Sequence, residues 1–279
     1  MPGPDSDALH PTETRGRYGG RVLVASVLSL KGGVGKTTVT LGLASAALHR
    51  GVDTVLVDLD PQANSTTTLE PIDPRASVAE VLANPRRAVV AEAVCATAWG
   101  PGLRMIPGSE RAEELNHPKP GARQVAALQA AIRHIRPVPE LVLIDCPPSL
   151  GRLTRNGLVA SDRAVLVTEP SIYAVAAVQR ALEAVQSERV AHQPTLQPLG
   201  VVVNRARARS TEQEYRLAEL RELFGPLILT PALPDRSAIQ QAQGAGVSIH
   251  SWPSAGAREV AVMFDALLDR LLRSAHFGT

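Results

Sequence analysis

Residues 30–38 read LKGGVGKTT. Gly35, Lys36 and Thr37 supply the second half of the phosphate-binding pattern G-x-x-x-x-G-K-[ST], whereas its first-glycine position holds Leu30 and is followed at once by a second lysine, Lys31. Gly32, Gly33 and Gly35 let the backbone turn tightly with its N–H groups converging, and Lys36 and Thr37 open a helix whose N-terminus favours an anion. Lys36 is placed to reach the β- and γ-phosphates of a nucleotide, and the Thr37 hydroxyl to ligate Mg²⁺. Val34 and Thr38 complete the stretch assigned to the nucleotide. Spacing alone leaves open that Lys31 acts only within its own chain or faces solvent.

Two further sites carry carboxylates. In LVLIDCPP, Asp145 follows four apolar residues, the position of a Walker B carboxylate that holds Mg²⁺. In LVDLDPQ, Asp58 and Asp60 close another apolar run, and at most one of them is expected to point into the site.

These groups need a scaffold that presents strand ends side by side. Short Val/Leu/Ile runs (VLVASVLS, TVLVDLD, LRMIPG, LVLIDCPP, AVLVTEP, LGVVVNR) alternate with stretches of helical character at 36–49, near 123–136, near 172–189 and near 211–224. Continuous apolar strands separated by helices predict an α/β fold, a doubly wound and mostly parallel sheet flanked by helices. Ligands bind such sheets at the carboxyl ends of the strands, where each of these polar groups falls. Residues 1–20, rich in Pro, Gly and polar types, are expected to form a flexible tail, and 21–279 a single P-loop domain. The Pro-punctuated stretch 71–120 is the least regular part and is expected to carry peripheral helices.

The chain has 279 residues, 44% of them hydrophobic, enough for a substantial core. Charge is nearly balanced, 29 Lys+Arg against 27 Asp+Glu, so attraction to nucleic acid must come from a local patch. Cys95 and Cys146 lack metal-type spacing and read as reduced thiols of a cytosolic protein. No stretch approaches the roughly 18 uninterrupted apolar residues of a membrane span.

KGGVGKTT, DLDPQAN and LVLIDCPPSLGRLTRNGL resemble the ParA family of bacterial partition and positioning ATPases, within the deviant Walker A group that includes the MinD proteins. The resemblance runs from about residue 21 to the C-terminal helix. It implies ATP and Mg²⁺ as cofactors, and a homodimer in which Lys31 reaches the nucleotide phosphates of the other subunit. It also implies that Asp60 positions the attacking water, that Asp145 accompanies Mg²⁺, that Asn204 hydrogen-bonds the adenine, and that the loop at Pro234 passes the adenine ring. Lys31, Lys36 and Asp60 are then the catalytic set, in a slow ATPase stimulated by a ParB-like activator.

Family members of this length usually bind double-stranded DNA without sequence preference when dimerised with ATP, so the resemblance implies a cytoplasmic protein, nucleoid-associated in the ATP state, that segregates plasmid or chromosome. Phosphate neutralisation by Arg and Lys produces such binding. The candidates are Arg205, Arg207 and Arg209 in NRARARS, with Arg216 and Arg236, and further Arg221 and Arg258. The chain departs from the family's IPR-x-x-x-x-x-EA pattern at LPDRSAIQQA, where Asp235 and Gln241 stand in for the arginine and glutamate. Alternatives are a ParA-like ATPase that positions another cargo and a MinD-like membrane ATPase. The final apolar stripe (Val260, Met263, Phe264, Leu267, Leu268, Leu271, Leu272) fits a core helix as well as a lipid surface, and Asp265 and Asp269 on its polar face argue against lipid. No membrane partner is therefore expected. The nitrogenase-iron-protein branch would need cysteines around an iron–sulfur cluster, and neither cysteine has that context.

Overall fold

The computed structural model describes residues 22–117, 119–207 and 209–275. The tail expected at 1–20, with Arg15, Arg17 and Arg21 near it, lies outside the described residues.

Among them, Leu23–Leu28 (β1), Thr54–Asp58 (β2), Pro71–Ile72 (β3), Cys95–Thr97 (β4), Leu103–Ile106 (β5), Leu141–Asp145 (β6), Arg163–Thr168 (β7) and Gln197–Val203 (β8) form one sheet. Its order is β3-β4-β5-β2-β6-β1-β7-β8. From β5 to β8 every neighbouring pair is parallel, whereas β3–β4 and β4–β5 are antiparallel. The helices are Lys36–His49 (α1), Asn64–Leu69 (α2), Val78–Ala83 (α3), Arg87–Ala93 (α4), Ala122–Val125 (α5), Ala127–Ile132 (α6), Arg152–Ala160 (α7), Ala174–Ala191 (α8), Thr211–Phe224 (α9), Ser237–Gly244 (α10) and Ala255–Ser274 (α11). The doubly wound α/β sheet expected from the alternation is the observed one.

Both sheet faces are covered, which is why the central strands are buried at every position and do not alternate. Ala25 and Val27 of β1 face a core built with α1, α10 and α11, while Val24 and Leu28 face a second core built with α3, α6, α7 and α8. In the first core Phe264 of α11, 1% exposed, lies against Gly42 of α1. A Cβ on Gly42 would stand 2.2 Å from the ring, so only glycine lets the two helices approach this closely.

The single helix expected near 123–136 is instead the short pair α5 and α6. Buried Asn156 of α7 explains the break. Its Oδ1 accepts from the Leu128 amide at 3.1 Å and its Nδ2 donates to the Gln124 carbonyl at 2.8 Å, so a side chain takes groups that a continuous helix would pair internally. The irregular stretch 71–120 contains α3 and α4, as expected of peripheral helices, and also β3, β4 and β5, which extend the same sheet. Strands of two and three residues such as β3 and β4 have too few positions to show a period.

Candidate functional site

The carboxyl ends of β1, β2, β6, β7 and β8 converge on one edge of the sheet, and the loop from β1 to α1 lies at its centre. Gly33 (φ 77°) and Gly35 (φ 90°) hold left-handed backbone there, and Gly35 caps α1. Gly35 is doubly constrained, because a Cβ would meet Asn204 Nδ2 at 2.2 Å. Lys36 begins α1 and is buried. The loop is thus a concave turn of amides with an ammonium at its base, a geometry that holds a polyphosphate.

Facing it are three carboxylates. Asp58 and Asp145 are paired neighbours at the ends of β2 and β6, both fully buried, and Asp60, 6% exposed, lies two residues beyond β2's end. Asp145 Oδ2 accepts from Ser65 Oγ at 2.8 Å and Oδ1 from Thr40 Oγ1 at 3.3 Å. Burial pushes Asp145 up to about 6, opposed by hydrogen bonds from Ser65 and Thr37 and by the Lys36 charge, and reinforced by Asp60. Asp58 is raised to about 7, by burial first and then by Asp145, while bonds from Thr66 oppose the rise. The expectation that at most one of Asp58 and Asp60 enters the site needs correction. Asp60 lies beyond the end of β2, where strand alternation no longer sets its direction, and both carboxylates meet Asp145, Asp58 as its neighbour in register and Asp60 through its charge.

Their bonding nevertheless differs. Asp58 Oδ2 is taken by the Thr66 amide at 2.9 Å and hydroxyl at 2.8 Å, and its Oδ1 by the Asp60 amide at 3.2 Å, so it braces the turn into α2. Among the described residues, Asp60 Oδ1 accepts only a backbone amide, that of Gln62, at 3.0 Å. Thr40, Ser65 and Thr66 were not singled out by sequence reasoning. The run STTT after DLDPQAN was the available signal, but hydroxyl-rich runs are common at helix starts and carry no period.

Lys31 is held within its own chain. Its Nζ lies 2.5 Å from Glu169 Oε1 and 3.2 Å from Ser171 Oγ, both in the loop after β7, and the ion pair is about one-third exposed. Ile172 and Tyr173 follow directly and are exposed at 63% and 68%. Glu169 is another functional candidate that sequence reasoning missed, because contacts 138 residues apart leave no local trace.

At the other side of the loop, Asn204 lies at the end of β8, 2% exposed, and donates from Nδ2 to the Val34 carbonyl at 2.8 Å. Asn204, Pro234, Arg205, Thr38 and Gln243 line a cavity of about 50 Å³ beside α1. The candidate DNA-contact arginines mostly have protein partners. Arg205 Nη1 donates to the Gly33 carbonyl at 2.5 Å, Arg207 pairs with Asp235 at 2.9 Å, and Arg236 forks onto Glu259 at 2.8 and 2.9 Å. Arg216 pairs with Glu212 and Glu219 on its own helix, and Arg209 is exposed with a left-handed backbone (φ 73°). Cys95 and Cys146 are buried in separate cores. No described helix is long and apolar enough to cross a membrane.

Comparison with known proteins agrees with this geometry. A family model described as AAA domain (AAA_31) matches residues 22–197, more than half of the chain. The chain is 29% identical over 243 residues to the chromosome-partitioning ATPase Soj of Thermus thermophilus, covering 86% of this chain and 93% of that one. Among solved structures it is similar to cobyrinic acid a,c-diamide synthase from Mycobacterium smegmatis with bound ADP and magnesium (TM-score 0.75, 26% identity, 93% of this chain and 97% of that one). A Cyanothece McdA variant in complex with ATP shares the fold (TM-score 0.75, 22% identity, 90% and 96% coverage). One fold thus serves proteins named as a synthase and as a partition ATPase, and function must be argued from the site. With its nucleotide-type loop, its strand-end carboxylates and the match across residues 22–197, the chain belongs to the AAA_31 family of AAA domains, in the company of the Soj and ParA partition ATPases that its motifs resemble.

Proposed function

We propose that the protein is an ATP-dependent dimerising ATPase that binds DNA without sequence preference in its ATP state and drives segregation with a ParB-like activator. The observation that carries the reading is the meeting of the β1–α1 loop with Asp60 and Asp145 at one sheet edge. Lys36 and the loop amides of Gly32, Gly33, Val34 and Gly35 hold the phosphates, and Thr37 and Thr38 open the helix beneath them. Asn204 and Pro234 flank the base.

The donor set suits a hard cation. Asp145 is a buried carboxylate of raised proton affinity bonded to the Thr37 hydroxyl, and oxygen ligands of this type are those Mg²⁺ takes. Thr37 and Asp145 would hold it, the latter commonly through water, and when bound it neutralises charge on the phosphates. Lys36 stabilises charge that develops on the transferred group. Asp60, whose carboxylate accepts from the Gln62 amide, orients the attacking water. Positioning and electrostatics are the whole of the catalysis such a site needs, and turnover stays slow until a partner completes it.

Dimerisation is supported by Lys31. Its partners Glu169 and Ser171 are exchangeable on a partly exposed surface beside apolar Ile172 and Tyr173, so a second subunit's phosphates can take the ammonium over. One observation favours a second reading, a cargo other than DNA: carboxylates neutralise Arg207, Arg216 and Arg236, leaving less positive charge for phosphates.

The test is binding to a random-sequence duplex with ATP, with ADP and without nucleotide, across a salt series, alongside Lys31→Ala. ATP-dependent binding that weakens steeply with salt and disappears in the variant is the expected result. ATP binding without any nucleotide-promoted DNA binding would sink the DNA role and leave the cargo reading.

A further inference from the structure

Two adjacent residues at the end of β8 grip two successive carbonyls of the β1–α1 loop. Asn204 Nδ2 donates to Val34 O at 2.8 Å, and Arg205 Nη1 donates to Gly33 O at 2.5 Å. A trans peptide unit points its C=O and N–H in opposite directions. Fixing the Gly33 and Val34 carbonyls outward therefore aims the Val34 and Gly35 amides the other way, into the concave side of the turn. A donor on the carbonyl also polarises the N–H of the same peptide unit, more strongly when the donor is a cation.

The backbone at Arg205 is itself set for this grip. Arg205 holds φ 56°, left-handed and unusual for a residue with a side chain. Such a conformation persists where its surroundings over-determine it. On one side the Asn204 amide is bonded to Thr168 O at 2.8 Å, and on the other the Ala206 amide to Leu233 O at 2.9 Å and the Ala206 carbonyl to the Asp235 amide at 3.0 Å.

We propose that Arg205 is a positioning residue for nucleotide binding: with Asn204 it clamps the outward carbonyls of the loop and so presents the Val34 and Gly35 amides to the phosphates. This rests on the nucleotide-site reading above and gives Arg205 a role distinct from DNA contact. The amides of such a loop cradle phosphates that ADP and ATP share, so the clamp supports both nucleotides alike. A lysine keeps a charged donor and recovers part of its effect, whereas alanine abolishes it.

The experiment is titration of the full chain with Mg·ADP and Mg·ATP for the wild type, Arg205→Ala and Arg205→Lys, with phosphorus NMR of bound ADP. Arg205→Ala should weaken both nucleotides about fivefold, and Arg205→Lys should recover at least half of that loss. The β-phosphate resonance should move in the alanine variant by more than the α-phosphate resonance, a change that loss of folded protein does not produce. Wild-type affinity in Arg205→Ala overturns the clamp, as does a loss confined to ATP or a lysine variant as weak as alanine. A wild type that binds neither nucleotide overturns the nucleotide site itself, and the two failures are told apart by the wild-type titration.

Discussion

Asp145 has no solvent exposure, and three hydrogen-bonding hydroxyls, from Thr37, Thr40 and Ser65, do not offset what burial does to its proton affinity. Its folded-state value of about 6 lies above the ordinary 3.8, so the metal-free folded protein binds this proton more tightly than the unfolded chain. The stability it contributes is fully present below about pH 3.8 and is lost as pH rises through about 6. The metal-free melting temperature of the wild type should therefore fall relative to that of Asp145→Asn between about pH 3.8 and pH 6. Binding of Mg·ADP should weaken below about pH 6, where the proton competes with the cation. Parallel pH profiles of the two proteins would contradict the assignment. Asp145 could be read from its place after an apolar run, but Ser65, Thr66 and Glu169 could not, since their partners lie elsewhere in the chain.

At the level of elements, α1 and α11 pack because Gly42 leaves room for Phe264. Gly42→Ala gains helix propensity, worth about 1 kcal/mol, yet forces a methyl group into the ring, and overpacking of a filled core costs about 1–3 kcal/mol. The clash should dominate, lowering the thermal midpoint by several degrees, and Phe264→Leu in the same chain should recover part of the loss. An unchanged or raised midpoint for Gly42→Ala alone would mean that the helices separate without cost. Helix 36–49 was legible to the residue because a glycine turn marks its start, and the helix expected near 211–224 begins at a Ser210 cap. The division of 123–136 was not, because it depends on Asn156 from another helix. The apolar stripe of α11 was ambiguous between core and lipid, and Val260, Phe264, Leu268 and Leu271 are all buried against the sheet side.

Across the whole molecule, the arrangement of charge matters more than its near-zero sum. Asp235 pairs with Arg207, and Glu259 with Arg236, so a loop rich in arginine in the sequence offers less unpaired positive charge in the fold. Asp235→Arg would release Arg207 and add a cation beside it. If this loop contacts DNA in the ATP state, that variant should bind random-sequence duplex more tightly. The dependence of log affinity on log salt should steepen by about one to two units. Unchanged affinity and slope would remove the loop from the DNA interface and strengthen the cargo reading.

The sequence by itself determined the strand–loop–helix at 22–49, the carboxylates that end β2 and β6, and a parallel sheet covered on both faces, because these follow from local spacing and hydrophobic period. Only the tertiary structure decided that Lys31 is engaged by Glu169, that Asn204 and Arg205 grip the loop carbonyls, and that Arg207 and Arg236 meet carboxylates. Each of those is a pairing between groups distant along the chain or facing one another across a turn. The energy of such a pair depends on distance and burial in three dimensions, which no one-dimensional pattern encodes.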